Sequence, residues 1–117
     1  MIKIKNQLGT INISGAVLTI LTGAAATNCF GVKGMALRSV SDGLVHLLKM
    51  ESMGKGVRIT YNDDGSVSVS LHIAVDQGVN IPVVCSSIID EVRYKLSTTA
   101  GVEVKNIDIF VDTMMVN

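Results

Sequence analysis

Two alternating stretches joined by a short turn constrain the fold of this chain most strongly: GVRITY at 56–61 and SVSVSLHIAV at 66–75. Successive side chains of a strand point to opposite faces. One face therefore collects the apolar residues Val57, Ile59, Tyr61, Val67, Val69, Leu71, Ile73 and Val75. The other face is predicted to meet solvent and carries Arg58, Thr60, Ser68, Ser70 and His72. The segment 62–65 between them, Asn-Asp-Asp-Gly, predicts a β-hairpin with a type I turn and a glycine bulge.

The single proline of the chain marks the change from strand to helix after this hairpin. Gly78 lets the chain leave the strand, Asn80 is suited to an N-cap, and Pro82 fits the first helical turn. The following helix is predicted to bury one stripe: Ile81, Val84, Cys85, Ile88, Ile89, Val92 and Leu96. Gly101 ends this helix, and the alternating Ile107, Ile109 and Val111 predict a final strand.

The first quarter of the chain predicts one strand and one helix. Residues 1–13 indicate a strand, with Ile11 and Ile13 on one face, and Ser14 is suited to the N-cap of the next helix. The core stripe of that helix is predicted to be Val17, Ile20, Leu21, Ala24 and Ala25. The opposite face is small and uncharged: Thr19, Thr22, Gly23 and Ala26. Because water-facing helix surfaces usually carry charge, we expect another element or a second copy to cover this face.

A turn through FGVKGMA at 30–36 leads to a second, short helix that Ser41 and Asp42 can open. This helix is predicted to turn Leu44, Leu47 and Leu48 inward and to end near 50–54. The predicted order is β-α-α-β-β-α-β, forming a single domain over residues 1–117. It corresponds to a two-layer α+β fold in which helices cover one face of a mixed or antiparallel sheet.

Charge and hydropathy exclude several classes of function. Ten basic and ten acidic residues give a net charge of zero, which argues against non-specific electrostatic binding to nucleic acid or anionic lipid. The stretch 6–32 has no charged residue, but its apolar part, 16–26, is too short to span a bilayer. The N-terminus lacks the pattern of a signal peptide. Cys29 and Cys85 lie among apolar or small residues, as reduced thiols of a cytosolic protein do.

Six segments, in order, resemble the alkaline shock protein family, also called the Gls-type general stress family of Gram-positive bacteria. They are GTINIS at 9–14, AAAT at 24–27 with GVKGMA at 31–36, DGLVHLL at 42–48, GVRITY at 56–61, LHIAVDQGVNIP at 71–82 and AGVEVKNIDIFV at 100–111. The resemblance implies a small cytosolic, non-enzymatic protein of the cell-envelope stress response. In this family some members self-associate and are held near the membrane by a separate integral membrane protein. No catalytic residue is carried over from the family.

The residues that could support catalysis or bind a metal are few and scattered. A nucleophilic site would require Cys29 or Cys85 beside His46 or His72, with a carboxylate in the same cleft. His72 alternates onto the polar strand face, whereas Cys85 lies on the core stripe of its helix. The two histidines and two cysteines show none of the close spacings of zinc sites. We therefore expect no enzymatic activity, no cofactor and no metal.

A KH-like RNA-binding module is the alternative interpretation. KH domains clamp a nucleic-acid backbone with a G-x-x-G loop between two helices, and Gly31, Lys33 and Gly34 occupy the matching place. These three residues are the candidate ligand loop. The neutral net charge and the lack of a further cation before Arg38 disfavour RNA as a partner.

Association with other proteins is the function that the residues favour. The candidate contact residues are Thr22, Gly23, Ala26 and Phe110, together with the apolar tail at 114–116. We predict a cytoplasmic homo-oligomer that is peripheral at the membrane only through a partner such as a membrane-anchor protein, without inserting itself.

Overall fold

The computed structural model describes residues 1–38, 45–47 and 56–116. In chain order its elements are β1 (Ile2–Asn6), β2 (Gly9–Ile13), α1 (Gly15–Thr27), β3 (Val32–Arg38), β4 (Val45–Leu47), β5 (Val57–Tyr61), β6 (Val67–Asp76), α2 (Ile81–Thr99) and β7 (Val104–Met115). The predicted α+β class and the outline of the order are confirmed, and the differences lie in the first half of the chain.

Strand β6 is the centre of a five-stranded mixed sheet. On one edge it pairs in parallel with β7 along its whole length, from Val67 opposite Val104 to Asp76 opposite Met115. On the other edge it pairs antiparallel first with β5, opposite 67–71, and then with β3, opposite 73–75. Strand β4 pairs with the outer side of β3. Each half of β6 therefore has a partner on both sides, as the burial of its core-facing residues requires.

The core lies between one face of β6 and the two helices. It contains the alternate residues of β6 that the sequence predicts, Val67, Val69, Leu71, Ile73 and Val75, and the α2 residues Val84, Ile88, Val92 and Leu96. The predicted turn is also confirmed, because the Gly65 amide donates to the Asn62 carbonyl at 3.1 Å and Gly65 has a φ of +89°. These observations confirm the hairpin, its faces and the centre of the α2 stripe, whereas the predicted stripe residues Cys85 and Ile89 are only half-buried.

The start and the end of α2 also match the prediction. The Asn80 side chain accepts a hydrogen bond from the Val83 amide at 3.3 Å, and Pro82 lies in the first turn. Gly101, with a φ of +67°, follows the C-cap. Ser14 occupies the N-cap position of α1, but its side chain makes no capping hydrogen bond.

This difference between the two caps gives a test of the helix starts. Asn80→Ala is expected to lower the free energy of unfolding by about 1 kcal/mol, because it removes the acceptor for an otherwise unpaired helix amide. Ser14→Ala, which removes no such bond, is expected to change it by less than about 0.5 kcal/mol. Urea unfolding followed by circular dichroism measures both. Equal losses would mean that the Asn80 bond does not stabilise the helix.

The single strand predicted over residues 1–13 is in fact a two-stranded hairpin. Strands β1 and β2 pair antiparallel, with Ile2 opposite Ile13 and Ile4 opposite Ile11. The Asn6 side chain accepts from the Leu8 amide at 2.8 Å, and Gly9 has a φ of +149°. The alternation is the same on both sides of this turn, so it could not reveal where the chain reverses.

The structure contradicts the predicted turn at 30–36, and it contradicts the short helix after it in the part that it describes. Residues 32–38 form β3 and residues 45–47 form β4, while the rest of the predicted helix, 41–44 and 48–54, lies outside the described residues. The physical reason is the length of β6: β5 reaches only as far as Leu71, so the edge from Ile73 to Val75 needs another partner.

Helix α1 is rotated relative to the prediction. Its buried residues are Leu18, Thr22, Gly23, Ala25 and Ala26, whereas Val17, Ile20 and Ala24 are exposed. Helix α1 packs beside α2 and over β5 and β3, where small residues allow a close approach. The predicted inward stripe is therefore wrong for Val17, Ile20 and Ala24, and Thr22, Gly23 and Ala26 belong to the chain's own interior.

Candidate interaction surface

The candidate ligand loop is not a loop between two helices. Gly31 ends the connection from α1, and Val32 already pairs with Val75 in the sheet. Gly31 has a φ of +91°, its carbonyl accepts from the Asp76 amide at 2.9 Å, and a Cβ placed on it would lie 3.0 Å from Val84 Cγ2. The KH-like arrangement is therefore wrong, and the glycine is required by its conformation and by close packing.

Lys33 and Gly34 lie at the start of β3. The register shifts between Val32 and Gly34, so Lys33 occupies a bulge. Its ammonium is 3.8 Å from the Asp76 carboxylate. Lys33, the one cation of the candidate ligand loop, is thus paired with Asp76 of the neighbouring strand β6. The described loop does not have the geometry of a phosphate-binding site.

The two thiols are placed as weak nucleophiles. Cys29 and Cys85 are half-buried and unpaired, and burial raises the pKa of both. The negative charge of Glu91 further raises the pKa of Cys29. A thiol with a raised pKa stays protonated at neutral pH. The reactive nucleophile is the thiolate, so both cysteines are weakly reactive.

The histidines do not complete a catalytic pair with these thiols. His72 lies on the outer face of the sheet, whereas Cys85 lies on α2, the helix that packs on the inner face. His46 falls in β4, and its side chain lies outside the described part of the structure. Among the described residues, no three His, Cys, Asp or Glu side chains come together as metal ligands would.

The outer face of the sheet carries a stacked pair where β6 and β7 run side by side. The rings of His72 and Phe110 stack with their centroids 4.8 Å apart and their planes 12° apart. His72 Nδ1 also lies 2.9 Å from Asp112 Oδ2, and Ser68 donates to Asn106 at 2.7 Å. Phe110 nevertheless remains 48% exposed. As predicted, it points away from Ile109 and Val111.

The outward face of α1 is an apolar surface, here called the α1 outer face and defined by Val17, Ile20 and Ala24. Ile20 is 64% exposed and Val17 is also exposed. No charged residue occurs anywhere in this helix. Exposed apolar surface without interspersed charge is typical of a contact with another protein.

A second apolar surface is a groove of about 420 Å³ at the start of α2, flanked by Phe30 and Val83, with Val79 and Val84 also lining it. Phe30 is 92% exposed. Asp76 and Asn80 supply polar groups to the groove.

The third surface is the free side of β7. Within the described residues this strand pairs only with β6. Its inward side chains Ile107, Ile109 and Val111 pack on the core but remain half-exposed. Its exposed side chains include Phe110 on the outer face and Met114 near the end of the strand, followed by Val116. An edge strand with apolar side chains on both faces is a ready template for pairing.

Sequence reasoning found Phe110 and the tail but missed Ile20, Phe30 and Val83. A helix that is apolar on every side gives no signal of which face is outward, so the position of Ile20 could not be read from α1 alone. Val83 lies outside the apolar stripe of α2, and that placement was an available signal for its exposure.

No helix in the described ranges is both long enough and apolar enough to cross a bilayer.

Residues 3–116 match the model of the alkaline shock protein 23 family, described as having a cell envelope-related function. The chain is similar to the uncharacterized protein YloU of Bacillus subtilis, with 29% identity over 116 residues, covering 98% of this chain and 96% of that protein. It is also 32% identical over 116 residues to the uncharacterized protein Spy1614 of Streptococcus pyogenes, covering 98% and 95%. No solved structure matches it.

Proposed function

The chain belongs to the alkaline shock protein 23 family, whose function is cell envelope-related, and on this premise we propose that it acts there without catalysis, by self-association and contacts with other proteins. The observation that carries the proposal is the exposed apolar surface on the uncharged helix α1 and around Phe110 on β7. Such surface costs free energy while it faces water, so a partner that covers it is stabilising.

The absence of catalytic activity is proposed from the placement of the reactive groups. Both thiols have a raised pKa, and His72 lies across the sheet from Cys85. The Asp112 carboxylate beside His72 joins β6 to β7 on the outer face of the sheet, away from both thiols. Because the thiols and the His72–Asp112 pair are separated, we assign a structural role to each of them.

We propose a cytoplasmic location, with attachment to the membrane through a second protein. The zero net charge gives the chain no general attraction to anionic lipid. A membrane protein whose cytoplasmic segment presents apolar side chains would fit the α1 outer face.

Sedimentation velocity on the purified chain over a range of concentrations tests self-association. We expect species larger than a monomer, with a fraction that rises with concentration. A strict monomer throughout the range would contradict the proposal.

Affinity capture from the detergent-solubilised membrane fraction tests the second contact. We expect the wild-type chain to recover a membrane protein that Ile20→Lys does not, because the substitution places a charge in the middle of the α1 outer face. Ser87→Lys, at an exposed position of α2, is the matched control and should recover it as the wild type does. Equal recovery with Ile20→Lys would show that the α1 outer face is not the contact.

A further inference from the structure

Within the part of the chain that the structure describes, strand β7 offers a long unpaired edge to a second chain. It runs for twelve residues and bonds to β6 on one side, and among the described residues no strand pairs with its other side. At its start, Arg93 donates to the Val104 carbonyl at 2.6 Å and, at 3.5 Å, to the Lys105 carbonyl. The guanidinium therefore covers the first carbonyls only. From Asn106 onward, about half of the backbone N–H and C=O groups point away from β6.

The middle of this edge is regular. The pairing with β6 shifts register between Val67 and Ser68 and again between Ile73 and Ala74. These shifts make Lys105 and Asp112 the extra residues of two bulges, and the segment 106–111 between them keeps an unbroken register. Bulges at both ends limit the length of edge that another strand can follow. The central six residues are therefore where a partner strand would fit.

We propose that β7 pairs antiparallel with β7 of a second copy, so that one sheet runs through both chains. This inference rests on the proposed self-association and names its surface. The charges favour the antiparallel direction: Lys105 stands at the start of the strand, and Asp108 and Asp112 follow. Antiparallel pairing brings the basic start of one strand beside the acidic end of the other, whereas parallel pairing in register opposes like charges.

Of the three registers centred on residues 108, 109 and 110, one satisfies both the faces and the charges. A two-fold axis perpendicular to the sheet requires inward residues to oppose inward residues. Centring on Asp108 sets two aspartates opposite each other, and centring on Phe110 sets Asp108 opposite Asp112. Centring on Ile109 avoids both conflicts.

In the Ile109-centred register, Ile109 meets its own copy, Ile107 meets Val111, and Asp108 meets Phe110. The half-exposed inward side chains of β7 are then covered by those of the second copy, which extends the apolar layer under the sheet. Lys105 comes beside the Asp112–Thr113 segment of the facing strand.

Cysteine cross-linking tests this register in a chain whose two native cysteines are replaced by alanine, after its sedimentation has been matched to the wild type. Ile109→Cys is expected to form a disulfide-linked dimer on mild oxidation, because directly opposed strand residues lie within the Cα distance of a disulfide. The matched control is Ile59→Cys, a half-buried isoleucine of the edge strand β5, which we expect to stay monomeric in the non-reducing gel. Equal cross-linking of the two variants would overturn the inference.

A charge exchange provides an independent test. Phe110→Glu sets a glutamate opposite Asp108 twice in each dimer, and the dissociation constant is expected to rise about tenfold. Adding Asp108→Lys to the same chain makes both pairs attractive and should restore most of the affinity. Loss of the His72–Phe110 stacking would weaken the single and the double variant alike, so failure of the rescue counts against the register.

The two proposals fail in different ways. A wild-type chain that sediments as a monomer removes the self-association and the strand pairing together. A wild-type chain that associates, without the Ile109 cross-link and without the charge rescue, keeps the proposed function and overturns the strand pairing alone.

Discussion

Thr22→Lys is expected to lower the free energy of unfolding by about 3–5 kcal/mol or more, enough to unfold much of a marginally stable domain. Thr22 is completely buried, and its hydroxyl donates to the Leu18 carbonyl at 2.7 Å within the same helix. A lysine there would bring an ammonium group among the aliphatic side chains of the described core. Thermal unfolding followed by circular dichroism measures the loss.

Ile20→Lys is the control on the same helix. Ile20 is exposed only two residues earlier, and its replacement is expected to change the free energy of unfolding by no more than about 0.5 kcal/mol. The pair of substitutions therefore reports which face of α1 is inward. A tolerated Thr22→Lys together with a damaging Ile20→Lys would restore the faces predicted from the sequence and contradict the structure.

Gly31→Ala is expected to lower the free energy of unfolding by about 2–4 kcal/mol, from two effects. An L-residue is strained at the φ of +91° that Gly31 adopts. The new methyl group would also lie 3.0 Å from Val84 Cγ2 and 3.1 Å from Val79 Cγ1, two side chains that would have to move. Urea unfolding gives the value.

Gly78→Ala separates these two effects. Gly78 has a similar φ, +85°, but a Cβ placed on it meets no atom within 4 Å. We expect the conformational cost alone, about 1–2 kcal/mol. If both variants lose the same amount, the contacts with Val79 and Val84 contribute nothing. If Gly31→Ala is as stable as the wild type, the glycine is not required for packing and its place in the chain needs another explanation.

Local signals in the sequence were sufficient for the second half of the fold. The turn ending at Gly65, the cap at Asn80 and the stop at Gly101 each depend on a residue type with a particular backbone or hydrogen-bonding property. The apolar stripe of α2 is flanked by charged residues, so its orientation follows from the pattern. These elements were predicted correctly because the residues that determine them are neighbours in the chain.

The first half of the fold depends on partners distant in sequence. The segment 32–38 is a strand because the far half of β6 has an unpaired edge there, which no local pattern indicates. The orientation of α1 depends on which of its apolar residues can approach α2 closely. The same limit applies to the candidate site: Phe110 could be found from its place in an alternating strand, but the free side of β7 appears only once the strand order is known.

The parallel pairing of β6 with β7 has a consequence for the order of folding. The two strands are joined through the whole of α2, so we expect β7 to pair late, as that helix docks on the sheet. The strand that we propose joins two copies is thus among the last parts of each chain to be completed. Partly folded chains would lack a paired β7. Only completely folded chains would then associate through this strand.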